Sequence, residues 1–180
     1  MKKIAKSQRG ITLISLSITI IIMMIVTGML IYNAKDSTQI KNLTNMYNDI
    51  EILRDKISSY YLQYGAIPAS IEYTKSLSKL NSAGVIGAND TGKFYVIDLR
   101  AIDGLTLNYG QDYEIIEEGN RTNADGSINF EGLGDLYIIN ETSHNIFYLK
   151  GITVKGSGSN PDKTYYTDDK NIDTVKVELK

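Results

Sequence analysis

Residues 40–64 read IKNLTNMYNDIEILRDKISSYYLQY. Within them Ile40, Leu43, Tyr47, Ile50, Leu53, Ile57, Tyr61 and Tyr64 recur at steps of three and four. Lys41, Asn45, Asn48, Glu51, Asp55 and Ser58 fall largely between them. That period marks a helix with one face covered by another element. Gly65 supplies a stop, and Pro68 bars simple continuation.

Upstream the character changes. From Ile11 to Ile31 no residue is charged, and fifteen of the twenty-one are Ile, Leu, Met or Val. At about 1.5 Å per helical residue the run spans roughly 30 Å, the hydrocarbon thickness of a bilayer. Lys2, Lys3, Lys6 and Arg9 precede it with no acidic residue among them, a bias that holds this end in the cytoplasm. Between Ile11 and Tyr64 there is no proline and one glycine, Gly28. The segment therefore reads as one helix of roughly 80 Å at about 1.5 Å per residue. A break at residues 33–38, capped by Asp36 or Ser37, is the alternative. A secretory signal peptide fits less well, because Tyr32-Asn33-Ala34 places a tyrosine where a small residue is wanted. Val26-Thr27-Gly28 is a weaker site of the same kind, and a plain single-pass anchor is a further rival.

Downstream the period switches. Glu72–Leu80 reads as a short helix. Strands are predicted at 94–99, 105–109, 113–116, 136–140, 145–150, 152–155 and 175–179. Glu141 to His144 sits between two apolar runs as a hairpin loop. An antiparallel sheet with one apolar face needs a cover, which the helical stripe can provide. The expected fold is α+β: a long N-terminal helix packed on a C-terminal antiparallel sheet. Leu43, Tyr47, Ile50, Leu53, Ile57 and Tyr61 would make the contact.

The overall charge of -2 hides an asymmetry. Without the four basic residues of the leader, 15 basic residues face 21 acidic ones, a net of -6. Such a body has no basic stripe to neutralise phosphates, so direct nucleic-acid binding gains no support. There is no cysteine for a disulfide, a Cys-based zinc site or thiol chemistry. His144 is the single histidine and reads as a solvated hairpin residue. Residues 123–129 look briefly like a calcium loop. Aligning Gly126 with the EF-hand glycine puts Arg121 at the first ligand position and Gly132 at the twelfth, so an Asp-Gly turn is favoured. Asp168-Asp169 and Glu117-Glu118 read as loop charges, and residues 156–161 as a surface turn. Asn42-Leu43-Thr44 and Asn140-Glu141-Thr142 fit the glycosylation triplet by coincidence. No nucleophile, base and stabiliser come together, so neither an enzyme nor a cofactor is implied.

The leader, glycine and apolar run, carried by Lys6, Arg9, Gly10, Ile11, Thr12, Leu13, Ile14 and Leu16, resemble the N-terminus of type IV prepilins. That family includes the pseudopilins of type II secretion and competence systems. The resemblance implies cleavage after Gly10 by a membrane prepilin peptidase and methylation of the new terminus at Ile11. It divides the chain into a leader (1–10), a membrane and assembly half-helix (11–33), an amphipathic half (34–65) and a β-rich head (66–180). Implied partners are the peptidase, other pilin or pseudopilin subunits, an assembly platform with its ATPase, and membrane lipid. The implied location is the plasma membrane with the head outside, and a filament once assembled. The lack of cysteine and the high Ile, Asn and Lys usage lean towards a Gram-positive envelope. Two residues depart from the family pattern. Ile11 stands where Phe or Met is commoner, and Ser15 where Glu is usual. Some pseudopilus tip subunits also lack that glutamate, which suggests a minor subunit. A membrane-anchored extracellular binding domain that does not polymerise is the alternative.

Overall fold

The computed structural model describes residues 8–156 and 159–168, without the side chains of residues 8–15 and 26–37. The chain divides into two units, Met1–Thr38 and Gln39–Lys180. Helix α1 spans Gln8–Tyr64, and residues 33–38, the alternative break, are helical. In the first unit the described side chains are those of residues 16–25 and Thr38, and all of them are exposed. Eight are Leu, Ile or Met. Among the described residues no helix is long and apolar enough to cross a membrane.

In the second unit α1 stops at a left-handed glycine. Gly65 takes φ 69°, and its N–H returns to the Tyr61 carbonyl at 2.8 Å. Four strands follow: β1 (Ile71–Glu72), β2 (Phe94–Val96), β3 (Tyr137–Asn140) and β4 (Ile146–Tyr148). They form an antiparallel sheet in the order β1-β2-β3-β4, with Val96 opposite Ile138 and Tyr137 opposite Tyr148. Helices α2 (Ser78–Ser82) and α3 (Asp112–Glu117) and a 3-10 turn at Leu99–Ala101 lie in the connections. Strands β5 (Ile152–Val154) and β6 (Lys163–Tyr165) make a separate antiparallel pair. The fold is α+β.

The sheet is buried on both faces. On one, Leu43, Met46, Ile50, Leu53 and Ile57 of α1 share a cluster with Tyr137, Ile139, Ile146 and Tyr148. On the other, Phe94, Val96, Ile138 and Phe147 cluster with Leu80 of α2 and with Tyr113 and Ile116 of α3. The expectation of one apolar face is thus corrected. All four residues of β3 are buried, because an unbroken apolar run suits a strand covered on both sides.

Other expectations are corrected as well. Tyr113–Ile116, read as a strand, is helical. Tyr113 and Ile116 lie three apart on the buried side, and Asp112 and Glu114 favour the first turn of a helix. Residues 105–109 form no strand, although their burial alternates. The helix read at 72–80 begins only at Ser78, and Glu72 instead pairs with Tyr95 in the sheet. Lys163–Tyr165 is a strand where none was expected. The strand predicted at 175–179 lies outside the described residues.

Both sheet edges are short or occupied. β1 has two residues, and Glu72 on it pairs with Lys93 at 2.6 Å. Along β4 the Tyr148 N–H donates to the Tyr166 carbonyl at 2.6 Å, and the Thr167 hydroxyl donates to the Ile146 carbonyl at 2.8 Å.

Leu53 is fully buried in the helix-side cluster, whereas Asn48 is exposed. Leu53→Asp should lower the stability of the full chain by about 3–5 kcal/mol, because it strands a carboxylate among apolar groups. Asn48→Asp should change it by no more than about 0.5 kcal/mol. Urea unfolding midpoints measure both, and equal tolerance would mean that α1 does not form one wall of the core.

Candidate functional site

Gly10, Ile11 and Ser15 fall in the first turns of α1, and their side chains lie outside the described residues, as do residues 1–7. Along the later face, Leu43, Tyr47, Ile50, Leu53 and Ile57 are buried. Tyr61 is not. It is 43% exposed, and its ring lies 5.1 Å from that of His144. The reason is length. Leu43 to Ile57 already covers about 21 Å of helix, whereas a four-residue strand extends about 13 Å. Tyr61 therefore meets the hairpin loop rather than the sheet. His144 is half-buried in that loop with φ 58°, not simply solvated.

The same helix face carries a residue that the apolar pattern passes over. Asp49 lies three positions after Met46 and four before Leu53, and none of its surface is exposed. Its carboxylate accepts from the backbone N–H of Asn108 (2.9 and 3.1 Å to its two oxygens) and from the Asn108 side-chain amide (2.8 Å). It also accepts from the backbone N–H of Tyr109 (3.0 Å) and from the Tyr137 phenol (2.9 Å). Residues 105–109 alternate in burial without a strand partner because two of their amides are bonded to this carboxylate. The signal was present in the sequence as an acidic residue at stripe spacing.

A second carboxylate continues the arrangement. Asp135 accepts from the Gly110 N–H at 2.6 Å and from the Tyr148 phenol at 2.9 Å. Asp112 accepts from the N–H groups of Gly134 and Asp135, both at 2.8 Å. The rings of Tyr109 and Tyr137 flank that of Tyr148 at 5.2 and 5.1 Å. Gly110 has φ 94°, and a Cβ there would meet the Tyr137 ring at 3.0 Å, so the loop needs glycine for both conformation and space. Burial, and then the charge of Asp49, pushes the Tyr137 phenol far above its ordinary value. Burial and the hydrogen bond to Asp135 do the same for Tyr148.

A third polar node braces the hairpin. Asp90 accepts from the Gly87 N–H, the Ser143 hydroxyl and the Asn145 amide. Buried Asn140 donates to the Thr91 carbonyl, while its oxygen accepts from the N–H groups of Thr142 and Ser143. An asparagine held this way is inaccessible to a glycosyl donor. Asp168, read as a loop charge, lies outside any helix or strand and accepts from Arg54 on α1, whose Nη2 reaches its two oxygens at 2.8 and 2.9 Å. Glu117 pairs with Arg100 at 3.2 Å. Residues 123–129 form a tight turn, with Gly126 at φ 83° and Asp125 accepting from the N–H and hydroxyl of Ser127.

Two of the clefts among the described residues border the loop that bonds to Asp49 or run along α1. One, of about 500 Å³, lies between Leu105, Leu107 and Tyr109 on one side and Arg100, Tyr113 and Glu117 on the other. The other, of about 260 Å³, follows α1 past Ile57 to His144. Among the described residues no group of three His, Cys, Asp or Glu is placed to hold a metal ion. The carboxylates of Asp49, Asp135 and Asp90 accept from the protein's own donors, so their evident work is to position loops. Comparison with protein-family models, with curated proteins and with solved structures gave no match.

Asp49→Asn replaces an acceptor oxygen by a donor facing other donors. It should cost about 2–4 kcal/mol of stability, read from urea midpoints, with the amides of Asn108 and Tyr109 losing exchange protection. Loss of less than about 0.5 kcal/mol would show that the node contributes nothing net.

Tyr137 and Tyr148 also set an alkaline limit. Their contribution to stability is fully present below the ordinary tyrosine value of about 10. As pH rises past that value the unfolded chain releases these protons while the folded chain keeps them, so stability falls. Midpoints measured between about pH 8 and 11 should decline, and the doubly substituted Tyr137→Phe, Tyr148→Phe chain should show a shallower decline.

Proposed function

We propose that this chain is a non-catalytic type IV pilin-like subunit, a minor pilin or pseudopilin, released from its leader by a prepilin peptidase and assembled with other subunits. One observation carries the reading. A basic leader ending in Gly10, an uncharged run over Ile11–Ile31 and a stripe buried against an antiparallel sheet follow one another in order. The exposed apolar side chains of residues 16–25 support it, since such a surface suits lipid before assembly and neighbouring helices afterwards. The acidic body supports partners other than nucleic acid.

In this reading the membrane holds the subunit by residues 11–33 until an assembly ATPase and platform protein extract it. Cleavage creates a cationic amine at Ile11, which is costly among apolar helices unless an anion pairs with it. Ser15 offers a hydrogen bond but no charge, and its small side chain permits close helix approach. A subunit of this kind belongs at low copy or at the tip, where no earlier subunit's amine needs a partner.

Intact mass and N-terminal sequencing of the membrane-extracted protein test the proposal. The mature chain should begin at Ile11 with a methylated amine, and Gly10→Val should leave the precursor uncut, because a branched side chain obstructs close backbone approach. A start beyond Gly28 or at Ala34 would reject the prepilin reading, and an uncut wild-type chain would favour the simple anchor. Shear-released filaments made mainly of this chain would reject the minor-subunit assignment alone.

A further inference from the structure

The cleft of about 500 Å³ is walled by three short stretches of chain: the 3-10 turn at Leu99–Ala101, residues 105–111, and α3. None of them belongs to the sheet, and carboxylates hold each one in place. Asp98 accepts from the N–H groups of Arg100 and Ala101 at 3.0 and 3.3 Å. It also accepts from the Tyr113 phenol at 2.5 Å, which joins the turn to α3. Asp49 holds the amides of Asn108 and Tyr109, and Asp135 holds that of Gly110. Asp112, which begins α3, bonds back to the amides of Gly134 and Asp135. None of these four carboxylates is exposed. Walls fixed in this way are set before anything enters, which lowers the ordering cost of binding.

The two sides of the cleft differ in chemistry. Leu105, Leu107 and Tyr109 are each half-buried; part of their surface packs on the helix-side core and the rest lines the cleft. Opposite them, α3 presents Glu114 and Glu117, three positions apart and therefore neighbours on one face. Glu117 is met by Arg100 at 3.2 Å, an exposed pair of small worth. Glu114 meets no donor among the described residues. Arg100, Glu114 and Glu117 are the charged groups that line the cleft, so one negative charge is left uncompensated there. An anion would be repelled, and a neutral apolar molecule would take water from that carboxylate and give nothing back. An amine on an apolar body satisfies both sides.

We infer that this cleft binds a small organic cation, an amine carried on an aromatic or aliphatic body. The amine pairs with Glu114, and the body lies along Leu105, Leu107 and Tyr109. The volume falls within the range of roughly 300–1,000 Å³ that small-molecule clefts occupy. The cleft lies wholly in the second unit, so binding does not depend on how the leader is processed.

Benzylamine, benzyl alcohol and benzoate share one ring and are cationic, neutral and anionic at neutral pH. Each is titrated into the isotope-labelled full chain while the amide resonances of residues 105–117 are followed by NMR. Benzylamine should give saturable shifts centred on these residues, with an affinity severalfold above that of benzyl alcohol or benzoate. Glu114→Gln, at an exposed position, should weaken benzylamine severalfold and leave benzyl alcohol unchanged. Leu107→Ser should weaken both. Shifts that fail to saturate, equal affinity for the three compounds, or benzylamine binding indifferent to Glu114→Gln would overturn the assignment.

Discussion

A carboxylate on the buried face of a helix is tolerable only when its lone pairs are met. Asp49 meets that condition with donors from two distant parts of the chain, the loop at Asn108 and Tyr109 and the strand residue Tyr137. The requirement ties those parts together. It sets the position of α1 against β3, because a helix shifted by a turn would carry the carboxylate away from the phenol. It also holds residues 105–110 extended beside the helix without a ladder of their own. Gly110 then lies close enough to Tyr137 and Asp135 to pass the constraint to Tyr148 and β4. Apolar burial supplies most of the driving force for such a core but specifies its register poorly. In this core a small polar network supplies the register.

What the sequence made legible follows from which physical signals are periodic. The stripe from Leu43 to Ile57 was readable because one helical face is buried over several turns. β3 and β4 were readable as apolar runs either side of Glu141 to His144, a polar loop. Residues 105–109 misled because alternating burial belongs to any extended segment lying on a core. Whether the amides find a strand or a carboxylate leaves no trace in the pattern. At six residues, α3 is too short to display its period, and Lys163–Tyr165 has no apolar run to announce it. Tyr61 kept the stripe's spacing beyond the point where the sheet ends. Asp49 escaped notice for a simpler reason, since a carboxylate among apolar positions is ordinarily assigned to the solvent side.

The two units place opposite demands on their side chains. In the second, apolar residues of α1 are removed from water by the sheet. In the first, Leu16 and residues 20–25 remain exposed, a contiguous surface of a kind that soluble monomers rarely carry. A subunit that passes from lipid into a helical assembly would need such a surface in both settings.

The sheet's margins bear on how copies of this protein would meet. An open strand invites a neighbour to add its own backbone, and such pairing is cooperative and hard to reverse. Here one margin is a two-residue strand bearing a salt-bridged glutamate, and the other is occupied by Tyr166 and Thr167. Two copies brought together at these margins would touch through side chains rather than by extending the four-stranded ladder. Side-chain contacts of that kind can part and form again, whereas an open four-stranded sheet would permit amyloid-like fusion.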